Sequence, residues 1–289
     1  MTQTTVSYSQ KRWDLSELIS GGMESPELEA AFTGLEKLVA AFEALRPQLK
    51  ADISVEEFLS IVRKLEEINL AGQKLGGFAS LTFSGDTQSQ AAQSLMQRVE
   101  QFFAEMENRT LFFTLWWKDL ADEDAARLIA SSGDLKYWLE EMRHFKPHTL
   151  SEPEEKIINI KNVTGASALQ MLYRLMTNRY SFKVQVGDEV KEMTRGQLMV
   201  YVRQADPELR ARAYQELYRV YGDDGTILGQ IYQSLVRDWR NEQVTLRKHS
   251  SPMGVRNLIN DLPDDVVNTL LAVCQRNTEI GRASCRERV

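Results

Sequence analysis

Three histidines are the residues of this sequence best suited to metal binding or general acid–base chemistry: His144, His148 and His249. His144 and His148 are four residues apart, which is the spacing of the two imidazoles in helical zinc sites. No glutamate follows His144, however, and Pro147 interrupts the helix that would aim both rings at one ion. The sequence therefore favours two partly exposed histidines at a helix end over a zinc site. We expect His249 near a helix C-terminus, where the helix dipole favours its charged form.

Five pairs of adjacent carboxylates are the next candidates for acid–base chemistry. They are Glu66–Glu67, Glu140–Glu141, Glu154–Glu155, Asp223–Asp224 and Asp264–Asp265. Neighbouring residues of a helix point about 100° apart, so the two carboxylates of a pair do not face each other. We expect these pairs on solvated helix faces or at helix starts, where the helix dipole favours negative charge.

Glycines and tyrosines also form local clusters. Gly72, Gly76 and Gly77 do not make a phosphate-binding loop, because no Gly-Lys-Ser/Thr follows them and no strand precedes them. We expect these glycines to loosen the end of a helix before the apolar segment 78–81. Four tyrosines recur at helical spacing: Tyr214, Tyr218, Tyr221 and Tyr232. This spacing favours core packing, and a tyrosine-lined groove for extended peptides is the alternative.

No catalytic or metal-binding residue is predicted from these clusters, and the substrate-binding residues stay unassigned. The elements that surround them are mostly helices, because apolar residues recur at helical spacing along most of the chain. Segment 180–193 alternates instead, and Gly187 and Asp188 between its two arms predict a tight hairpin. We therefore predict an all-α protein, mainly helical, with one small β-hairpin near residues 180–193.

Three capping boxes predict helix starts at Ser54, Ser151 and Thr194. The expected helices, from the apolar spacing and the caps, cover about 28–49, 54–77, 87–117, 122–130, 135–144, 151 onwards, 207–222, 226–248, 252 onwards and 264–278.

Composition restricts the function further. The chain has 289 residues, 43% of them hydrophobic and 26% charged, with a formal net charge of -6. Binding to nucleic acid is not expected, since it usually requires a basic excess or stripe. Two cysteines, Cys274 and Cys285, exclude a disulfide scaffold. No signal peptide and no apolar run of the roughly 20 residues of a membrane helix is visible, so no membrane partner is expected and the cytoplasm is the expected location.

The last predicted helix has an apolar stripe that requires a packing partner. Val266, Leu270 and Leu271 belong to this stripe, but segment 279–289 shows no helical apolar period and contains three arginines, Arg282, Arg286 and Arg288. We therefore predict that residues 279–289 are a non-native tail, similar to a reading frame that runs into sequencing-adapter DNA, and that the chain is incomplete.

Several segments resemble, in their order and spacing, the N-terminal half of oligoendopeptidase F-type enzymes of the M3 zinc metallopeptidase family. They are 13–18 (WDLSEL), 78–87 (FASLTFSGDT), 147–155 (PHTLSEPEE), the hairpin followed by Thr194, 206–221 (DPELRARAYQELYRVY) and 255–278. The resemblance implies a mostly helical fold that encloses a channel for short peptides. It also implies zinc, held in such enzymes by a His-Glu-x-x-His helix and a later glutamate. No position of this chain matches that motif, so no catalytic or metal residue is carried over.

The resemblance predicts three parts of the chain. Residues 1–193 would form the N-terminal helical lobe, 194–278 the truncated start of the catalytic domain, and 279–289 the tail. The complete protein would hydrolyse internal bonds of short peptides with zinc, and this chain would be inactive alone. The alternative is a noncatalytic helical protein that binds peptides or acts as a scaffold. The oligomeric state is not predicted.

Overall fold

The computed structural model describes residues 13–278 and is mainly helical, as the apolar spacing predicts. The helices are α1 (Pro26–Glu43), α2 (Val55–Gly85), α3 (Gln90–Asp119), α4 (Asp122–Ala130), α5 (Lys136–His144), α6 (Glu152–Thr164), α7 (Ala166–Asn178), α8 (Arg195–Tyr201), α9 (Pro207–Asp223), α10 (Gly225–Arg240), α11 (Pro252–Ile259) and α12 (Asp264–Arg276). Strands β1 (Phe182–Val186) and β2 (Glu189–Met193) form the predicted hairpin. Within 13–278, no helix is both long and apolar enough to cross a bilayer.

All three predicted capping boxes are formed. The Ser54 hydroxyl accepts from Glu57 N–H at 3.2 Å, and the Glu57 carboxylate accepts from Ser54 N–H at 3.3 Å. Corresponding reciprocal bonds begin α6 at Ser151 and α8 at Thr194. Each box satisfies backbone donors that the first helical turn leaves without partners, and this fixes where the helix begins.

The first core lies between α1, α2 and α3 and extends to α4 and α5. Its largest fully buried side chains include Phe42, Phe58, Phe113 and Trp117. Phe58 stacks on Trp117 with a centroid distance of 5.1 Å, and Trp117 Nε1 donates to the carbonyl of Leu139 at 3.0 Å. The indole therefore fills the core and also attaches α5 to α3 with a buried hydrogen bond.

Helix α2 corrects one expectation, because it runs without interruption through Gly72, Gly76 and Gly77. A Cβ atom at Gly76 would lie 2.9 Å from Cε2 of Phe103 on α3, whereas one at Gly72 would meet nothing within 4 Å. Gly76 thus allows the close approach of two helices rather than ending one. Packing along both neighbouring helices outweighs the low helix propensity of glycine.

This contrast gives a matched pair of substitutions. Gly72→Ala is expected to stabilise the fold by about 0.5–1 kcal/mol, since alanine loses less backbone entropy in a helix. Gly76→Ala is expected to lose this gain, because the Phe103 ring must shift away from the added methyl group. Urea denaturation of both variants measures the difference, and equal stabilities would contradict the close approach at Gly76.

Two other helix ends differ from the sequence expectation. Helix α1 ends at Glu43, after which residues Arg46–Gln48 form a 3-10 turn. The regular helix α10 ends at Arg240, and a π-helical turn follows over Asn241–Leu246. Lys248, two residues further on, has a φ of 61°. The spacing of apolar residues did not distinguish these turns from the α-helices that precede them. Over a single turn, 3-10, π and α geometry place apolar residues at nearly the same positions.

The hairpin begins a second core. Phe182 pairs with Met193 and Val184 with Lys191, and Gly187 in the turn has a φ of 60°, which glycine adopts without steric cost. Phe182, Val184 and Met193 are buried with Leu198, Ala213 and Val220, residues of α8 and α9. The hairpin therefore packs with the helices that follow it, and the division of the chain into 1–193, 194–278 and 279–289 stays a prediction.

The apolar stripe of α12 is exposed. Val266 is 54% exposed, Leu270 61% and Leu271 53%. None of the residues of this helix is buried. The predicted tail, 279–289, lies outside the described residues.

Candidate functional site

The structure separates the two histidines that the sequence placed in one helical pair. His144 ends α5 and is exposed, whereas His148 is half-buried and stacks on His249. The two ring centroids are 3.5 Å apart and the ring planes are inclined by 17°. The expected helix-end location of His144 and His148 is confirmed. The pairing with His249 was missed, because the sequence gives no signal that residues so far apart meet.

Residues 148–155 and 242–249 form what we call the junction, where the start of α6 meets the end of α10. His148 Nδ1 lies 2.9 Å from the carbonyl oxygen of Arg247. An Nδ1–H tautomer of His148 donates to that oxygen and fixes the plane of the ring against His249.

His249 lies just after the π-helical turn that follows α10, near a helix C-terminus as expected, but its surroundings oppose the charge that a helix dipole would favour. Burial lowers the pKa of His249, and the neighbouring His148 and Arg247 lower it further. The side chain is buried, so loss of solvation outweighs the dipole. The surroundings of His249 therefore favour its neutral form over the charged one.

This pKa shift predicts a dependence of stability on pH. An unfolded histidine protonates near pH ~6.5, while the folded His249 resists protonation, so the unfolded state binds more protons as the pH falls. We expect the contribution of His249 to be complete above that pH and to decline below it. Thermal unfolding followed by circular dichroism should show this decline in the wild type and in His144→Asn, and a weaker decline in His249→Asn. An unaltered decline in His249→Asn would contradict it.

A buried ion pair stabilises the junction next to the histidines. Arg247 donates to both carboxylate oxygens of Glu155 at 2.7 Å, and its Nε donates to Glu242 at 2.9 Å. Burial would raise the pKa of Glu155, but the bonds from Arg247 and from Leu150 N–H prevail and lower it. The side chains of Arg247 and Glu155 are 16% and 10% exposed. Glu155 thus lies at a helix start, as expected of the paired carboxylates, but it is buried and paired with Arg247 rather than solvated.

Local sequence explains how these groups meet. The capping box at Ser151 begins α6 so that Glu155 lies in its first turn. At the other side, the π-helical turn and the left-handed Lys248 redirect the chain, and π turns are often found at functional sites.

A cleft lies beside the junction, between the C-terminal end of α3 and the segment before α6. Its volume is about 620 Å³, within the range of small-molecule sites. Lys118 lines the cleft, and burial lowers the pKa of its ammonium group although the Glu155 charge opposes this. Arg46 and Glu152 form a bidentate ion pair at the edge, and this pair, with Lys156, lowers the pKa of Glu152 to about 2.

The remaining candidates do not assemble into a reaction site. Within residues 13–278, no group of three or more histidine, cysteine, aspartate or glutamate side chains could hold a metal ion. Tyr214 and Tyr218 stack on each other, with a centroid distance of 6.3 Å, but are 45% and 70% exposed. Tyr232 is 69% exposed. The expectation of core packing is therefore wrong for these three tyrosines and is met in part by Tyr221, which packs against Phe182 in the second core.

Solved structures identify the class of this fold. The chain is similar to an oligoendopeptidase-F from Enterococcus faecium, with a TM-score of 0.73 and 18% identity, covering 87% of this chain and 50% of that one. It is also similar to a putative peptidase from Chlamydophila abortus, with a TM-score of 0.56 and 16% identity, covering 92% and 45%. The fold is that of the helical peptidases.

Sequence comparison points to the same group of enzymes. Residues 116–182 match the family model described as Oligopeptidase F. The chain is 21% identical over 210 residues to oligopeptidase PepF of Bacillus subtilis (strain 168), covering 71% of this chain and 31% of that protein. It is 22% identical over 225 residues to group B oligopeptidase PepB of Streptococcus agalactiae, covering 74% and 35%. The family-model match and these relatives support an assignment of the chain to an N-terminal portion of the oligoendopeptidase F-type M3 peptidases. The chain spans about a third of the length of these two relatives.

Proposed function

We propose that this chain is part of a zinc-dependent oligoendopeptidase and that it forms one wall of the channel in which short peptides are bound. The zinc ligands and the catalytic groups belong to the remainder of that protein. The family match and the partial coverage of the relatives support this proposal. Alone, the chain would be inactive, and a cytoplasmic location remains our expectation.

One observation favours a chain that is part of a larger protein over a chain that folds as a self-contained one. It is the distribution of exposed apolar side chains. Trp13, Leu70, Leu81 and Tyr137 are the exposed large hydrophobic residues described before residue 150, whereas the others lie between 157 and 273. Large exposed apolar surfaces usually contact other protein or a ligand. The surfaces of α7, α10 and α12 are therefore suited to packing against further protein.

The histidines of this chain do not fit the zinc motif of such enzymes. Its histidines are followed by Phe145, Thr149 and Ser250, so none begins a His-Glu-x-x-His sequence. The stacked rings of His148 and His249 lie face to face and do not direct their nitrogens at a common point. We assign no step of peptide hydrolysis to these residues.

Hydrolysis of internally quenched peptides tests the proposal. The 289-residue chain is expected to show no hydrolysis with or without added zinc, whereas a protein translated from the same gene through its downstream codons should cleave them and lose activity with a chelator. The downstream codons should encode a His-Glu-x-x-His helix. Zinc-dependent cleavage by the 289-residue chain itself would contradict the proposal.

A noncatalytic peptide-binding protein is the second candidate, and one observation favours it. Tyr214 and Tyr218 present a stacked, exposed aromatic pair on α9, which suits contact with an extended peptide. A stop codon directly after Val289 in the source DNA, together with peptide binding that Tyr218→Ala weakens, would support this candidate over the first.

A further inference from the structure

The cleft beside the junction has an apolar wall and a charged side. Leu49, Phe112, Leu115, Trp116 and Leu150 supply the apolar wall. This combination suits a ligand that has an apolar body and one charged end.

The charges that line the cleft favour an anion. Arg46 is paired with Glu152, and Lys146 donates to the carbonyl of Leu120 at 3.1 Å with Asp122 3.6 Å away. Asp119 is exposed at the rim. The lining holds three cations, with Lys118 as the third, and two carboxylates, Asp119 and Glu152, so its own net charge is +1. Asp122 lies outside the lining.

Within the described part of the chain, Lys118 forms no salt bridge with a carboxylate. Among the residues at positions 13–278, its Nζ forms neither a hydrogen bond nor a salt bridge, and the group beneath it is the Phe145 ring, with the centroid 5.9 Å away. Glu155 is near enough to attract it but is bound on both oxygens by Arg247. Glu155 attracts this half-buried ammonium without bonding to it, so the hydrogen-bond donors of Lys118 remain available to a ligand.

We propose that the cleft binds the free C-terminal carboxylate of a short peptide whose last residue is apolar. Lys118 Nζ donates to the carboxylate, and the side chain of the last residue packs against Trp116 and Phe112. The assignment of the carboxylate to a peptide rests on the proposed function. A small carboxylic acid presents the same chemistry, and the experiment separates the two sources.

Isothermal titration calorimetry of the 289-residue chain tests the site with three probes: acetyl-Ala-Phe with a free carboxylate, the same dipeptide as its amide, and 3-phenylpropionate. We expect the free acid to bind at least about tenfold more tightly than the amide, since one charge-assisted hydrogen bond is lost. The dipeptide acid should also bind more tightly than 3-phenylpropionate, because the peptide unit contributes contacts.

Variants of Lys118 provide the second measurement. Lys118→Gln is expected to weaken binding of the dipeptide acid about tenfold, while Lys118→Arg retains it. Lys136→Gln, at an exposed lysine of α5, should bind as the wild type does. Lys118→Gln is not expected to lower the melting temperature. If this variant fails to fold, the affinities of the wild type for the acid and for the amide decide whether the cleft binds a carboxylate.

Equal affinity for acid and amide, no binding of any probe, or unchanged affinity in a folded Lys118→Gln would overturn the site. Affinity for 3-phenylpropionate equal to that for the dipeptide acid would overturn the peptide as the ligand. The proposed peptidase function would stand after each of these results, because hydrolysis by the longer protein decides it separately.

Discussion

Replacing Arg247 by methionine is expected to reduce the free energy of unfolding by about 3–5 kcal/mol, the usual loss when one partner of a buried ion pair is removed. The guanidinium supplies both bonds to Glu155 and one to Glu242, and it also donates to the carbonyl of His148 at 3.3 Å. Its removal leaves the Glu155 carboxylate buried with Lys118 as the nearby cation. Urea denaturation followed by far-ultraviolet circular dichroism measures the loss.

Arg46→Met is the matched control. Arg46 also holds a carboxylate with two hydrogen bonds, at 3.0 and 2.7 Å to Glu152, but its side chain is 54% exposed. An exposed ion pair contributes about 0–1 kcal/mol, so the control should change stability little. The double variant Glu155→Gln/Arg247→Met should lose less than the sum of the single losses, because neither charge is then left alone. Equal losses in Arg247→Met and Arg46→Met would contradict a special role of burial at the junction.

Replacing Trp117 by alanine is expected to cost about 3–5 kcal/mol, the range for removing a large aromatic side chain from a packed core. Trp117 is 0% exposed and stacks on Phe58, so the substitution leaves a cavity that helices α2 and α3 cannot close without losing other contacts. It also leaves the carbonyl of Leu139 without the indole donor. The same denaturation measurement applies.

Two further tryptophan variants separate these effects. Trp117→Phe keeps much of the volume and removes the donor, so it should lose less than alanine but more than a surface substitution. Trp13→Ala is the control for the residue type, since Trp13 is 86% exposed; a change within about 0.5 kcal/mol is expected there. A loss in Trp13→Ala as large as that in Trp117→Ala would be inconsistent with the described core.

The positions of the helices were predictable because the sequence signals that set them are local. Reciprocal caps at Ser54, Ser151 and Thr194 involve residues three apart, and the hairpin depends on Gly187 and on an alternating pattern that surrounds it. Apolar residues also recur at helical spacing on the buried face of α3, among them Leu95, Val99 and Phe113. These signals act within a few residues, so a single sequence displays them.

The junction and the cleft were not predictable from the same sequence. Glu155 has the local features of a solvated first-turn carboxylate, and only the approach of Arg247, 92 positions away, makes it a buried partner. His148 and His249 became a stacked pair for the same reason. Gly76 was expected to loosen α2, but the Phe103 ring of α3 lies against it and the helix continues.

The sequence by itself thus determined the helical class, the helix starts, the hairpin and the resemblance to oligoendopeptidase F-type peptidases. Only the tertiary structure decided which charges are buried, which tyrosines are exposed and that Lys118 lines a cleft without a bonded partner among residues 13–278. Local propensities and caps depend on neighbours along the chain. Burial and ion pairing depend on segments that are distant in sequence and meet only when the chain packs. Whether a charged side chain is solvated or paired is decided by the groups that those segments place next to it.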